Sequence, residues 1–251
     1  VEALNHETDL ELAEDSIPAN LNMLLGMIKI DPENAQLHTF AAQAFYGLAY
    51  GFNEDSRPER ASGFYLRGMQ HGVTALEVNG SGPLLDSTIA EFETSVSKMG
   101  DKDFAAMFWA ASCWAKWIDM NRDDPEAIAQ LSRATALMQR VIDLDDTFYY
   151  GGAHMFFGVY YGSRAPSIGG NFEKSKQHFD RAREITDGRL LIPDLLQAQY
   201  LARQQFDKEQ FQRLLNGIIE APDDLMPELA LQNQIAKRKA ALLLKKEQEW
   251  F

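Results

Sequence analysis

The chain has 251 residues, with 24 Lys plus Arg against 37 Asp plus Glu and a formal net charge of −13. That acid excess argues against nucleic acid, whose phosphates need a basic surface to release counterions, and against an anionic membrane surface. With 45% apolar and 11% aromatic residues the chain is not disordered, and its one cysteine, Cys113, excludes an internal disulfide and any cysteine-based zinc or iron–sulfur site within one chain.

No run of about 18 apolar residues exists to span a bilayer. The longest candidate, Phe104 to Ile118, contains Lys116. The chain starts at Val1 without Met, which fits a removed export segment or another trimming.

No run alternates with period two; apolar residues recur at helical spacing instead. A first helix is expected over residues 8–29, with Leu21, Leu24, Leu25 and Ile28 on one face and Pro18 as a kink or a start. Asp31-Pro32 ends it and reads as N-cap and first helical position of a second helix, Glu33 to Phe52. Further helices are expected at 57–78, 86–98, 101–119, 124–143, 147–163, 171–186, 191–204, 207–220 and 227–248. Gly80-Ser81-Gly82-Pro83, Asp123-Asp124-Pro125, Gly169-Gly170, Asp187-Gly188 and Ala221-Pro222 mark joints between them. About eleven helices and no dividing linker make an all-α chain, read as a single domain over 1–251. Phe172-Glu173-Lys174 and Phe206-Asp207-Lys208 recur 34 residues apart, the tetratricopeptide period, so a degenerate α/α helical-repeat array is expected. A longer echo relates Ile28-Lys29-Ile30-Asp31 to Ile142-Asp143-Leu144-Asp145.

The segment Phe104 to Ile118 is apolar almost all round, so it is buried on most sides. It is either a central core helix or, through Trp109, Trp114 and Trp117, the aromatic wall of a cavity, since a buried indole N–H needs a partner. Tyr149, Phe156 and Tyr160 share one helical face by spacing, with Tyr150, Phe157 and Tyr161 on the adjacent strip. That aromatic surface faces two helix layers or lines a groove. Arg164, directly after it, either holds a ligand carboxylate in a bidentate pair or caps the helix's last carbonyls. The histidines His6, His38, His71, His154 and His178 form no i, i+4 pair, and no zinc-protease or phosphate-loop motif occurs. A calcium-loop reading at Asp143 fails, because Phe148 stands where the loop needs Gly and His154 where it needs Glu. Asn79-Gly80-Ser81 matters only to a glycosylating pathway, and Cys113 reads as an inert core thiol.

The order of these segments resembles the T-component (TatT-like) family of tripartite ATP-independent periplasmic (TRAP) transporters. The resemblance rests on Asp31-Pro32-Glu33-Asn34 with Ala41-Ala42, on Tyr65-Leu66-Arg67-Gly68, and on Phe108-Trp109-Ala110 with Trp114-Ala115. It rests further on Leu144-Asp145 through Gly151-Gly152-Ala153-His154, on Gly158-Val159-Tyr160-Tyr161, and on Leu231-Gln232-Asn233. Asn171 stands after Gly169-Gly170 where an acid is more usual, and still serves as an N-cap. The resemblance implies tetratricopeptide-like repeats, a periplasmic lipoprotein whose lipidated cysteine precedes Val1, no catalysis, and no cofactor or metal. It also implies homotrimers with a passage or pocket in each subunit, working beside a TRAP solute-binding protein on apolar or amphipathic organic acids. The residues expected to line the cavity are Trp109, Trp114, Trp117, Tyr149, Tyr150, Phe156, Tyr160, Tyr161 and Arg164; the alternative is a scaffold that binds proteins and no small molecule.

Overall fold

Local capping chemistry explains several of the helix starts in the computed structural model, which describes residues 2–251. The chain opens with α1 (Glu2–Asn5) and α2 (Leu10–Ile30). It continues through α3 (Ala35–Phe52), α4 (Pro58–Leu76), α5 (Ile89–Ser97), α6 (Phe104–Met120), α7 (Pro125–Ala129) and α8 (Leu131–Leu144). Then come α9 (Phe148–Gly162), α10 (Phe172–Ile185), α11 (Ile192–Leu196), α12 (Lys208–Glu220), α13 (Ala230–Leu244) and α14 (Glu247–Trp250). The protein is all-α: 78% is helical and the described residues contain no strand.

Asp124, Asn171 and Asp207 accept the backbone N–H of Glu126, Lys174 and Gln210 at 2.9, 3.0 and 2.8 Å. Thr88 and Glu91 close a reciprocal capping box. At the second helix the expected cap is displaced. Asn34, not Asp31, accepts from Leu37 N at 3.2 Å, and Asp31 instead accepts from the Asn34 amide at 2.9 Å. Pro32 and Glu33 are used up in the turn between them, so the helix starts at Ala35. α2 runs through Pro18 without ending there. The 34-residue echo is out of structural register: Phe172 is the first residue of α10, whereas Phe206 precedes the Asp207 cap with φ of 56°.

Residues divide into two compact units: a middle unit, Glu14–Asp145, and a terminal unit, Asp146–Phe251 with the segment up to Ala13. In the middle unit, α3, α4, α6 and α8 pack around Phe45, Met107, Trp114 and Leu137, all fully buried. α4 and α6 approach through glycine. A Cβ on Gly72 would stand 2.7 Å from Ala110 Cα, and one on Gly68 2.6 Å from Cys113 Sγ. In the terminal unit α9 packs on α10 in the same manner, with Gly158 against the Phe179 ring and Gly162 against Ser175. α12 and α13 enclose Leu195, Phe211, Leu215, Ala236 and Ala240.

Candidate functional site

The terminal unit carries the aromatic cluster, and its backbone departs from a plain helix. Tyr149, Tyr150 and Gly151 have φ of 44°, 59° and 76°, three successive left-handed residues at the start of α9. For a side chain with a Cβ this conformation costs roughly 1–2 kcal/mol per residue. Glycine suits position 151 on two counts, its positive φ and the 2.9 Å a Cβ would leave to Ile185 Cδ1. The Gly151 N–H, bonded to Thr147 O at 3.2 Å, closes the turn. Tyr149 is therefore not in helical register with Phe156 and Tyr160, as its i+7 and i+11 spacing predicts. Tyr150 packs instead with Leu190, Met226, Leu229, Met155 and Ile192. Asp145 ends α8, and Asp146 is turned to His154 and Arg181.

Beyond the turn α9 is regular, and Phe156, Tyr160 and Arg164 stack one above the next. The two rings lie 6.4 Å apart and 9° from parallel, and the Arg164 guanidinium sits 4.1 Å over the Tyr160 ring. Spacing of four along a helix brings such side chains onto one face. All three are partly exposed. Arg164 also caps the helix, its Nε and Nη2 donating to Tyr160 O at 3.2 and 2.9 Å. Its Nη1 has no partner among the described residues. The capping role is thus realised, and one arm of the fork makes no hydrogen bond to the described residues.

Below this ladder lies a constellation that single-residue inspection of the sequence misses. His154 on α9 and His178 on α10 face one another through Nδ1 atoms 2.9 Å apart. His154 Nε2 lies 3.3 Å from Asp146 Oδ2, which also accepts from Arg181 Nε at 3.0 Å. The Arg181 guanidinium holds the Asp146 carboxyl below its usual range. An ionised carboxylate only accepts, so His154 Nε2 carries a proton, its Nδ1 is the acceptor, and His178 Nδ1 is the donor. His178 stacks on Phe157 and Tyr161 at 5.4 and 5.8 Å. Burial first, and then His154 and Lys174, push the His178 imidazole down to about 4. His154 is lowered by burial, with Asp146 opposing.

The middle unit holds a counterpart. His38 and His71 meet through Nδ1 atoms 2.9 Å apart, and His38 Nε2 lies 3.0 Å from Pro32 O. Phe45 stacks on His71 at 5.7 Å, and Arg67 lies 4.3 Å over Phe45. Burial, His38 and Arg67, in that order, push His71 down to about 4. The spacing is the same in both hairpins: seven residues from the first histidine to the stacked ring, and four from the cation to the second histidine. That recurrence, His-x6-aromatic followed by cation-x3-His, is the signal by which the sequence could have disclosed the pairs.

The tryptophans of α6 serve the middle unit. Trp114 is fully buried, edge-on to Phe92, and its Nε1–H donates to Gln130 Oε1 at 2.8 Å, so the core satisfies this indole. Trp109 is 5% exposed and lies 5.5 Å from Tyr46. Trp117 is partly buried beside Tyr65, whose hydroxyl donates to Glu54 at 2.9 Å; Glu54 also pairs with Lys116. Burial and Glu54 raise the Tyr65 phenol well above its ordinary value. Cys113 is buried and its thiol is pushed up by desolvation. Among the described residues no three His, Cys, Asp or Glu side chains form a metal-holding group, and no helix is long and apolar enough to cross a membrane.

No curated protein matches this sequence. A family model described as TRAP transporter T-component matches residues 6–251, through both hairpins and the aromatic ladder. The chain belongs to the TRAP transporter T-component family, and so to the accessory proteins of TRAP transport.

Proposed function

We propose that this protein is a non-catalytic periplasmic component that binds the apolar body and acid end of an amphipathic organic acid on α9, beside a TRAP solute-binding protein. The observation that carries the reading is the Phe156–Tyr160–Arg164 ladder. Two parallel rings offer an apolar surface that ends in a guanidinium with Nη1 unspent. Tyr161, edge-on to Tyr160 at 5.1 Å, extends the aromatic surface, whereas Tyr149 and Tyr150 at the left-handed turn stand apart from it. Trp109, Trp114 and Trp117 belong to the packing of the middle unit. Docking of the solute-binding protein, assembly into homotrimers and a lipid anchor ahead of Val1 complete the reading by family. The protein-only scaffold remains the rival.

The reading is tested by titrating the chain with straight-chain alkyl carboxylates under native mass spectrometry and calorimetry. Arg164→Gln is expected to weaken binding about tenfold, the loss of one charge-assisted contact. Tyr160→Ala is expected to weaken it at least as much, because it removes the stacked platform of the guanidinium. If the wild-type chain captures a purified TRAP solute-binding protein yet binds no alkyl acid, the scaffold reading replaces this one.

A further inference from the structure

We propose that the His154–His178 pair is a proton-binding site that accepts one extra proton, and that its occupancy tunes anion binding on the α9 ladder. The second half of this inference rests on the ligand reading above; the first does not.

Four ring nitrogens share the protons of the pair. In the neutral pair His154 Nε2–H is spent on Asp146 and a second proton lies between the Nδ1 atoms. His178 Nε2 is left with a lone pair and no partner among the described residues. A proton added there keeps the shared N–H···N bond intact and makes it charge-assisted, hence stronger. A further proton would set two N–H groups against each other across 2.9 Å. The pair therefore holds one positive charge and no more.

Where that charge can be balanced separates the two hairpins. At His154 the outer acceptor is a carboxylate; at His38 it is the Pro32 carbonyl, which carries no charge. The groups acting on the terminal pair are Asp146 before α9, and Lys174, Arg181 and Glu184 on α10. Arg181 competes for Asp146. Tyr161 stacks on His178 from α9. The packed segments Ile192–Leu196 and Gln197–Ala202 bring Asp194, which is bonded to Arg183, and Tyr200. Asp146 is thus the one negative charge in direct hydrogen-bond contact with the pair.

The route to the ladder is short. A cationic His178 lies on the faces of Phe157 and Tyr161, a favourable arrangement for a cation. Tyr161 meets Tyr160 edge-on at 5.1 Å, and Tyr160 carries Arg164. Added positive charge here favours an anion on the ladder, and by reciprocity a bound anion favours the proton.

The test follows the imidazole nitrogen resonances of the full chain by NMR across pH. His154 and His178 are expected to respond together to a single proton. Asp146→Asn is expected to lower the midpoint by about one pH unit and Arg181→Gln to raise it by about as much. Both substitutions lie at the partly exposed end of the network, and the His38 and His71 signals are expected to stay in place, reporting an intact fold. Independent titration of the two rings, or a midpoint unmoved by Asp146→Asn, overturns the proton site. The coupling is read with decanesulfonate, whose head group stays ionised: its affinity should rise several-fold as pH falls through the midpoint, and the rise should move with the midpoint in Asp146→Asn. Binding that ignores pH overturns the coupling. Absence of decanesulfonate binding at every pH overturns the ligand reading of the ladder and the coupling with it, while the ring titration still decides the proton site.

Discussion

The α3–α4 hairpin of the middle unit and the α9–α10 hairpin of the terminal unit solve one packing problem with different chemistry. Each sets a glycine strip against its neighbour, joins two imidazoles through Nδ1 at 2.9 Å, and lays an aromatic ring on the second histidine. In the middle unit the glycines belong to α4 and face α6, and a backbone carbonyl closes the histidine pair. In the terminal unit the glycines belong to α9 and face α10, and a carboxylate shared with Arg181 closes it. The difference shows how a shared scaffold yields a neutral latch in one place and a chargeable group in another. Burial is much the same in the two pairs, and the outer acceptor is what differs, an uncharged carbonyl in one and a carboxylate in the other.

Three experiments test how far the two hairpins differ. The largest effect is expected from the glycine strips. Gly72→Ala sets a methyl 2.7 Å from Ala110 Cα, which is backbone and cannot turn aside, whereas Gly158→Ala meets Phe179 ring atoms at 2.7–2.8 Å. Denaturant melts should show a loss of about 3 kcal/mol for Gly72→Ala and less for Gly158→Ala. Equal losses would mean that the Phe179 ring is as immovable as backbone.

Acid comes next. His71 and His178 are both pushed to about 4 in the folded chain, below the ordinary 6.5. A depressed value means that the unfolded chain takes up the proton first. Stability is therefore complete above pH 6.5 and falls as pH drops from there toward 4. Each partly buried ring is expected to contribute about 2 kcal/mol to that fall. Urea titrations at pH 7 and pH 5 check it, with His71→Gln and His178→Gln each expected to flatten the curve. A stability that does not change between those two pH values would contradict the depressed histidines.

The smallest effect concerns the cations. Arg67 lies 4.3 Å over Phe45 and Lys174 5.3 Å over Tyr161. Removing either charge with Gln should cost about 0.5 kcal/mol, more at Arg67 because its guanidinium sits closer. It should also ease protonation of His71 or His178 in the same unit, which NMR titration of each ring resolves.

The residues divide by the range of the forces on them. Asp124, Asn171 and Asp207 are readable as caps because a cap bonds only two or three residues ahead. Asn34 took that role from Asp31 because two acceptors competed within one turn, and geometry, not residue type, chose between them. Tyr149 defeats helical spacing altogether. Its left-handed turn depends on Gly151 meeting Ile185 and Ala182, some thirty residues later in the chain. Phe156 and Tyr160 are legible from spacing, since both lie on one regular helix, and Arg164 joins them from just past its end. The histidine pairs were not, because their members stand 33 and 24 residues apart on different helices.

Residue order alone makes the chain helical, marks several helix starts, and buries α6 almost all round. These follow from hydrophobic periodicity and capping, which act within a few residues. It also placed aromatic side chains along α9 and Arg164 just after its end. Packing settled the rest: Trp114 is satisfied by Gln130, Tyr149 and Tyr150 leave the helical register, and His154 joins His178 with Asp146 behind it. Those outcomes depend on which surfaces meet. Side-chain hydrogen bonds and backbone strain are settled by partners that packing delivers from far along the chain.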